Sequence, residues 1–525
     1  MEMKSPPLTF FLRSLGCKVS QYDGNRLEEK LCELGLVPVR EGEAPDIFLL
    51  NGCAVTGRAS QKVRQAVRAA RRQWPLAKVI VTGCEARRRE LSVEKSIASS
   101  FPLSSPQQAS SVSAFLDGPR DEPLDAHGVL PVGADLQGIR DCLEACGLTL
   151  CAAGDIPQEA VPSPGGVLSI AHEENSHNSE AIPFSMKKVG ARTRAFLKIQ
   201  DGCRQFCTYC IVPHLRGAET SKAVEEAVSE ARRLAAAGFR ELVVTGIHVG
   251  HYAFGLTDLL CRLEAIDGID RLRLSSIEPL EIDEALIEWM ATSPKACQHL
   301  HIPLQAGHDA ILAAMNRPYR RDAFAALIER IRRRIPQAGL TTDLIVGFPG
   351  ETDEQFAEGV AFVEAMAFSR IHIFRYSTRP GTPAAGFSGQ IAGPVKQARA
   401  RAVEAVWHKL AERFAASLVG RNIEVLWETC VSGVWHGLSR EYVSCRLAAA
   451  ALPIGMIGAD LGNVITSVRA VENIPEEQPE EGSLQHKTDF PREALRVVPL
   501  CVPFERAATI FLDSFALSEP DEEQS

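Results

Sequence analysis

The chain has 525 residues, 45% of them hydrophobic and 23% charged, with 15 cysteines and a formal net charge of −9. That length exceeds what one hydrophobic core supports, and the composition is that of an ordinary globular protein rather than a disordered or fibrous one. No apolar run reaches bilayer-spanning length and the start MEMKSPPLTFFLRSLG lacks a secretory h-region, so the expected setting is the cytoplasm, with no membrane partner and few disulfides.

Residues 1–90 alternate short apolar runs with helical patterns. The runs LTFFLRSL, DIFLL and AKVIV each end in the same dipeptide, Gly16-Cys17, Gly52-Cys53 and Gly83-Cys84. Strand–helix alternation predicts a doubly wound, mainly parallel sheet. Ligands of such sheets bind along the edge where the strands end. Three cysteines far apart in sequence therefore converge there, each after a glycine that lets the backbone turn sharply. Residues 91–190, rich in Ser, Pro, Ala and Gln, read as a largely disordered insertion or linker. Within it, part of 128–155 carries one strand-and-helix pattern that can complete the first domain.

Residues 191–417 alternate strand and helix six times. The strands are RAFLKI, ELVVTG, RLRLSS, HLHIPL, TTDLIVGF and RIHIFRYS. Six such units predict a partial parallel (βα)6 barrel with its site at the C-terminal strand ends. Residues 418–475 hold short β-like runs bounded by Gly, as in a small β-barrel. Residues 476–525 read as an acidic tail with 12 Asp+Glu against 4 Lys+Arg. The preceding residues are nearly neutral, so the net charge does not exclude a nucleic-acid partner.

Cys203, Cys207 and Cys210 follow the first barrel strand in DGCRQFCTYC. Three thiolates on a four-iron cluster leave one iron without a protein ligand. A zinc site would instead close with a fourth ligand, and no second paired arm lies nearby. The motif resembles the radical S-adenosylmethionine (SAM) superfamily, in which the open iron binds SAM. The same resemblance implies SAM neighbours at Gly246 in VVTGIH, Ser276 and Glu278 in SSIEP, Gln305 in PLQAG and Gly347 in DLIVGFPGE. Tyr209, between two of the cysteines, stands either over the cofactor or in the core.

With such a barrel, LGCKVSQYD, NGCAVTGRA and VTGC resemble the three N-terminal cysteine motifs of the methylthiotransferase family. That resemblance implies two 4Fe-4S clusters, one held by Cys203, Cys207 and Cys210 and one by Cys17, Cys53 and Cys84. One SAM would donate a methyl group and a second would be the radical source. It also implies a terminal RNA-binding barrel of the TRAM type over 418–475. The partners would be tRNA, an electron donor such as flavodoxin or ferredoxin, and a sulfur donor. Within the family, LGCKVSQYD, FLKIQDGC and TGIHVG look most like the branch that 2-methylthiolates N6-threonylcarbamoyladenosine next to the anticodon. GCEARRR departs from the GCYAQ-like third motif usual in the family. The alternatives are the same chemistry on isopentenyladenosine or a ribosomal protein, a cobalamin-dependent radical SAM enzyme, and a non-catalytic iron–sulfur RNA-binding protein.

Arg64, Arg68, Arg71 and Arg72 on one face of a candidate helix, with Arg58 and Lys62 before them and Arg87, Arg88 and Arg89 after the third cysteine, form a candidate phosphate stripe, with further basicity at Arg317, Arg320 and Arg321. Cys142, Cys146 and Cys151 form a local trio without catalytic context. Cys32, Cys261, Cys297, Cys430, Cys445 and Cys501 lack metal spacing and are expected to pack.

Overall fold

A computed structural model describes residues 7–40, 42–93, 126–148, 193–448, 465–475 and 493–499. By its internal packing the chain divides into two units, Met1–Ala411 and Glu412–Ser525.

The first unit begins with a five-stranded parallel sheet in the order β2-β1-β3-β4-β5. Its strands are β1 (Thr9–Ser14), β2 (Val37–Pro38), β3 (Ile47–Gly52), β4 (Lys78–Gly83) and β5 (Gly128–Val129). Alternation along each strand divides the apolar residues between two faces. Phe10, Ile47, Leu49 and Ile80 pack with helices Lys18–Glu33 and Leu136–Ala145, whereas Phe48, Leu50, Val79 and Val81 pack with helices Gly57–Gln73 and Cys84–Val93. Both faces are covered, as a doubly wound sheet requires. The order reverses direction between β1 and β3, which is the switch point where such sheets open a crevice.

Residues 126–148 belong to this sheet. The strand-and-helix pattern within 128–155 completes the first domain as expected, supplying the edge strand β5 and the covering helix Leu136–Ala145, which Asp135 caps by accepting from Gly138 N–H. Cys142 and Cys146 lie against β5: a Cβ at Gly128 would stand 2.7 Å from Cys146 Sγ and 3.5 Å from Cys142 Sγ. They fill the core of this face; Cys151 and Cys501 lie outside the described residues.

Next come six parallel strands: β6 (Arg194–Lys198), β9 (Glu241–Thr245), β10 (Arg271–Leu274), β11 (His299–His301), β12 (Gly339–Val346) and β13 (Arg370–Arg375). They are the six expected. β6, β9 and β10 form one ladder and β11, β12 and β13 another. Only isolated bridges, Leu272 to Ala296 and Ser276 to His301, join β10 to the β11 side. A two-strand ribbon, β7 (Gln200–Asp201) with β8 (Thr220–Ser221), brackets the cysteine loop after β6. The amphipathic helices, such as Val224–Ala236 and Arg321–Arg334, bury their apolar stripes against the outside of the strands.

The second unit contains a closed barrel, β14 (Asn422–Val431), β15 (Val434–Ser439), β16 (Ser444–Ala448), β18 (Glu493–Pro499) and β17 (Ile465–Pro475) in that spatial order. Ser432 and Gly433 join β14 to β15 with φ of 50° and 77°, the left-handed pair of a two-residue hairpin turn. Trp427 is fully buried at its centre. The fifth strand, β18, lies inside the stretch expected to be only an acidic tail. It closes the barrel by pairing parallel to β16 and antiparallel to β17, so the sequence boundary at 475 falls one strand short. Cys297 and Cys445 are buried as expected, but Cys261 and Cys430 are exposed.

Candidate functional site

Cys17, Cys53 and Cys84 stand directly after β1, β3 and β4, at the switch-point edge of the first sheet. Gly16 is at φ 152°, and a Cβ there would lie 3.1 Å from the Cys53 Cβ. The loops carrying Cys17 and Cys53 therefore touch, and only glycine fits between them. Gly83, at φ 83°, is similarly closed in by the Gly52 carbonyl and Asn51 Oδ1. Cys17 occupies the N-cap position of the helix Lys18–Glu33 without a side-chain cap bond, and Cys84 opens the helix Cys84–Val93, where burial raises its thiol against the pull of Arg216. Burial pushes the Cys53 thiol up to about 11, and the nearby Cys84 and Cys17 add to it.

Cys203, Cys207 and Cys210 follow β6 and β7. Gly202 turns this loop at φ 78°; a Cβ there would come within 2.2 Å of the Ala218 carbonyl oxygen. Phe206 adopts φ 46°, an unusual conformation for a large side chain, and Asn316 Nδ2 donates to its carbonyl at 3.2 Å. Burial pushes Cys210 up to about 12, and Cys207 raises it further. Burial also raises Cys207, against the pull of Arg317, whose Nη1 donates to its sulfur at 3.3 Å. His248 Nδ1 lies 3.6 Å from Cys203 Sγ, and its other nitrogen bonds Glu281. Burial opposes charge on this ring, but those two hydrogen bonds outweigh it and raise it to about 10.

Neither cysteine set has all three sulfurs within 4.8 Å of one another, the spacing of a single-ion site among the described residues. A cubane instead takes each thiolate on a different iron, and three thiols per set, carried on loops turned by Gly16, Gly83 and Gly202, are the donor chemistry of an iron–sulfur cluster.

The two cysteine sets meet through one short helix, Val212–Arg216. Ile211 and Leu215 pack against Ala54 and Cys84. Arg216 Nε donates to Cys84 Sγ at 3.4 Å, and its Nη1 bonds Asp23 at 2.7 Å and Asp201 at 3.1 Å. The Tyr22-Asp23 pair of LGCKVSQYD fixes the docking: Lys198 Nζ bonds Asp23, and Lys222 Nζ donates to Tyr22 Oη at 2.9 Å. From the other side, the loop after β13 holds the Cys53 loop, with Gly57 N–H donating to Ser377 and Arg379 Nε donating to the Val55 carbonyl. Asp23, where a cobalamin loop would need a histidine nearby, is taken up by these basic groups.

Gly246, Ser276, Glu278, Gln305 and Gly347 all lie just beyond C-terminal strand ends. Gly246 abuts Gln200, whose side chain accepts from His248 N–H at 2.7 Å. Ser276 is exposed and bridges to His301. Glu278 accepts from Arg317. Gln305 sits at φ 66° and bridges to Leu344. Gly347 packs closely on the Lys396 side chain. Tyr209 is partly buried against the barrel core. Arg317 is a correction: it is not a surface cation but 7% exposed, shared by Cys207, Glu278 and Tyr319. The residue type gave no sign of this, because an arginine in MNRPYRR reads the same buried or exposed. Arg88 likewise pairs with the buried Glu85 at 2.8 Å, whereas Arg68 and Arg72 are exposed on the helix Gly57–Gln73.

Residues 197–363 match the radical SAM superfamily, and residues 9–101 match the family described as uncharacterized protein family UPF0004. The threonylcarbamoyladenosine tRNA methylthiotransferase of Bacillus subtilis is 32% identical over 80% of this chain and 85% of its own. The Chlamydia pneumoniae protein of the same name is 31% identical over 89% and 96%. The tRNA-2-methylthio-N(6)-dimethylallyladenosine synthase of Pelotomaculum thermopropionicum is 34% identical over 79% and 85%. Among solved structures, the radical SAM methyltransferase TsrM from Kitasatospora setae, with cobalamin and a 4Fe-4S cluster bound, is similar with a TM-score of 0.47 at 14% identity, covering 73% of this chain and 74% of that one. On the relatives' identity and coverage, the chain belongs to the radical SAM methylthiotransferase family.

Proposed function

We propose that the protein is a tRNA methylthiotransferase that 2-methylthiolates N6-threonylcarbamoyladenosine next to the anticodon. The observation that carries this reading is the pair of three-cysteine sets, each at the C-terminal end of its own parallel sheet, joined through Arg216 and the helix Val212–Arg216. Two sites with three thiols apiece suit two clusters that each keep an iron open to a non-protein ligand. Cys203, Cys207 and Cys210 would hold one, with SAM against Gly246, Ser276, Glu278, Gln305 and Gly347. Cys17, Cys53 and Cys84 would hold the other.

When bound, the clusters and SAM supply methyl transfer to sulfur and hydrogen abstraction at the target carbon. The chain's own residues orient and shield these groups. Arg317 and Arg216 each donate a hydrogen bond to one cysteine sulfur, which stabilises the thiolate and would tune the reduction potential of a cluster that it held. The docking ion pairs of Asp23 keep the two centres in fixed register. The exposed arginines of the helix Gly57–Gln73 supply phosphate contacts, and the closed five-stranded barrel acts as the TRAM-type tRNA grip. A cytoplasmic electron donor such as flavodoxin or ferredoxin, and a sulfur donor, complete the cycle.

The branch rests on LGCKVSQYD, FLKIQDGC and TGIHVG, since relatives of both named activities are about equally similar. Incubation of the reconstituted, reduced protein with SAM and tRNA carrying threonylcarbamoyladenosine tests it. The reading predicts 5′-deoxyadenosine together with the 2-methylthio nucleoside. Product on isopentenyladenosine tRNA alone would reverse the branch.

A further inference from the structure

The interior of the partial barrel is polar along its depth. Inward positions of parallel barrels are ordinarily filled by Val, Ile and Leu. Deepest here are Glu241 of β9 with Arg271 and Arg273 of β10, sealed from solvent and ion-paired at 2.9 and 2.7 Å. A second cluster stands nearer the strand ends. His301 of β11 and Thr341 of β12 are register partners, and two residues further on Asp343 pairs with His372 of β13. Residues two apart on a strand share a face, so these four side chains project to the same side. Asp343 Oδ1 stands 3.2 Å from His301 Nε2, and the His301 and His372 ring centroids are 5.4 Å apart. One donor atom from each of His301, Asp343 and His372 lies within 4.8 Å of the other two.

Two imidazoles and one carboxylate from three adjacent strands are a donor set for a divalent transition metal. Donors around a zinc-sized ion stand about 3–3.5 Å apart, so the His301–Asp343 separation already fits and the His372 donor has to move in by at most about 2 Å. The surroundings suit the role. The Thr341 hydroxyl bonds His301 Nδ1 and His299 Nε2, each at 2.9 Å. A hydroxyl has one proton to give, so when it donates to His299 it accepts from His301 Nδ1–H, and the His301 Nε2 lone pair then faces Asp343. Two acceptors in that position need a proton or a cation between them. A metal-binding histidine is commonly oriented in this way through its far nitrogen. His372 has no hydrogen-bond partner among the described residues, and burial keeps its ring neutral, the form that ligates. Arg370 and Lys18 add to that effect and oppose a cation, which limits the affinity. Asp343 and His372 are only partly buried, so the remaining coordination positions meet solvent.

We propose that His301, Asp343 and His372 bind one divalent transition-metal ion, with Thr341 orienting His301. No cysteine takes part, so the site is separate from both cysteine sets and independent of the functional reading above. Three protein donors leave positions open for water or for an oxygen donor of a bound substrate.

The test titrates Mn²⁺, which suits nitrogen and oxygen donors better than thiolates, into the full chain with both clusters loaded and oxidised. Free Mn²⁺ is read at room temperature by electron paramagnetic resonance, where oxidised 4Fe-4S clusters are silent. Wild type should bind about one ion per chain, half-saturated at about 1–100 µM. His372→Phe and Asp343→Asn should each weaken this at least about tenfold, with iron content unchanged. His251→Gln alters the other imidazole–carboxylate cluster, His248, His251 and Glu281, and should bind as wild type does. If Asp343→Asn loses iron, His372→Phe decides alone. No saturable binding, or binding that His372→Phe retains, would overturn the site and leave His301 and Asp343 as an ordinary ion pair. Loss with His251→Gln alone would overturn it too, by placing the ion on the other cluster.

Discussion

Arg216 reaches Cys84 from a helix that begins just after Cys210: its Nε lies 3.4 Å from the Cys84 sulfur. One side chain thereby ties together two cysteine sets that lie more than a hundred residues apart in sequence. Its side chain is 2% exposed, and Asp23 and Asp201 balance its charge.

Arg216→Gln should therefore leave Asp23 and Asp201 sharing Lys198 and remove the donor to Cys84. Because both carboxylates are part-exposed and keep Lys198, the loss should be about 1–3 kcal/mol. The expected outcome is a lower unfolding midpoint in denaturant and selective loss of the second cluster. Iron content and electron paramagnetic resonance, measured alongside stability, check it. Equal loss from both clusters would mean that Arg216 only holds the domains together.

The cysteines divide by role. Cys203→Ala, Cys207→Ala or Cys210→Ala should abolish SAM cleavage to 5′-deoxyadenosine. Cys17→Ala, Cys53→Ala or Cys84→Ala should leave that cleavage measurable while abolishing the methylthio product. Chromatography of the two products from the same reaction distinguishes the sets.

Cys203, Cys207 and Cys210 were legible because they lie in one contiguous motif, and Cys17, Cys53 and Cys84 because each follows a Gly at the end of an apolar run that is a strand. The six barrel strands were legible because short β-like runs, three to eight residues as strands, are divided by helical periodicity. What the sequence hid depends on partners distant along the chain. The pattern within 128–155 showed a strand and a helix, but not that the strand, β5, is only two residues long and sits at the sheet edge beside β4. β18 closes the small barrel from within a stretch of acidic character. The polar barrel interior was hidden too: HLHIPL and RLRLSS alternate like half-exposed strands, yet their polar positions point inward. Arg317 was misread because charge patterning reports charge, not burial.

Glu241 makes part of the fold's stability dependent on pH. Burial opposes its charge, but Arg271, Arg273 and Arg194 outweigh that and hold it at about 2, against an ordinary 4.5. A depressed carboxyl contributes stability fully above the unfolded value and loses it as pH falls through the folded one. This contribution should therefore fade between roughly pH 4.5 and pH 2. Glu241→Gln should lower stability near neutrality by about 3–5 kcal/mol and flatten that acid limb. Denaturant melts across the range test this; an unchanged acid limb would mean that the pair is isoenergetic with its neutral form.

On the helix Gly57–Gln73, Arg68 is exposed and Arg64, partly exposed, flanks the buried stripe of Ser60, Val63, Val67 and Ala70. Charge reversal at both should weaken tRNA binding and lower the salt slope by roughly one per lost phosphate contact. Titrations at several salt concentrations read this out, and an unchanged slope would make the pair ordinary solvated surface.

The most direct measurement is nucleoside mass spectrometry of tRNA from cells lacking their own 2-methylthio enzymes, with and without this gene. The account predicts that 2-methylthio-N6-threonylcarbamoyladenosine appears with the gene and disappears with Cys17→Ala or Cys203→Ala. Folded protein with both clusters loaded, and no methylthio nucleoside in the tRNA, would contradict it.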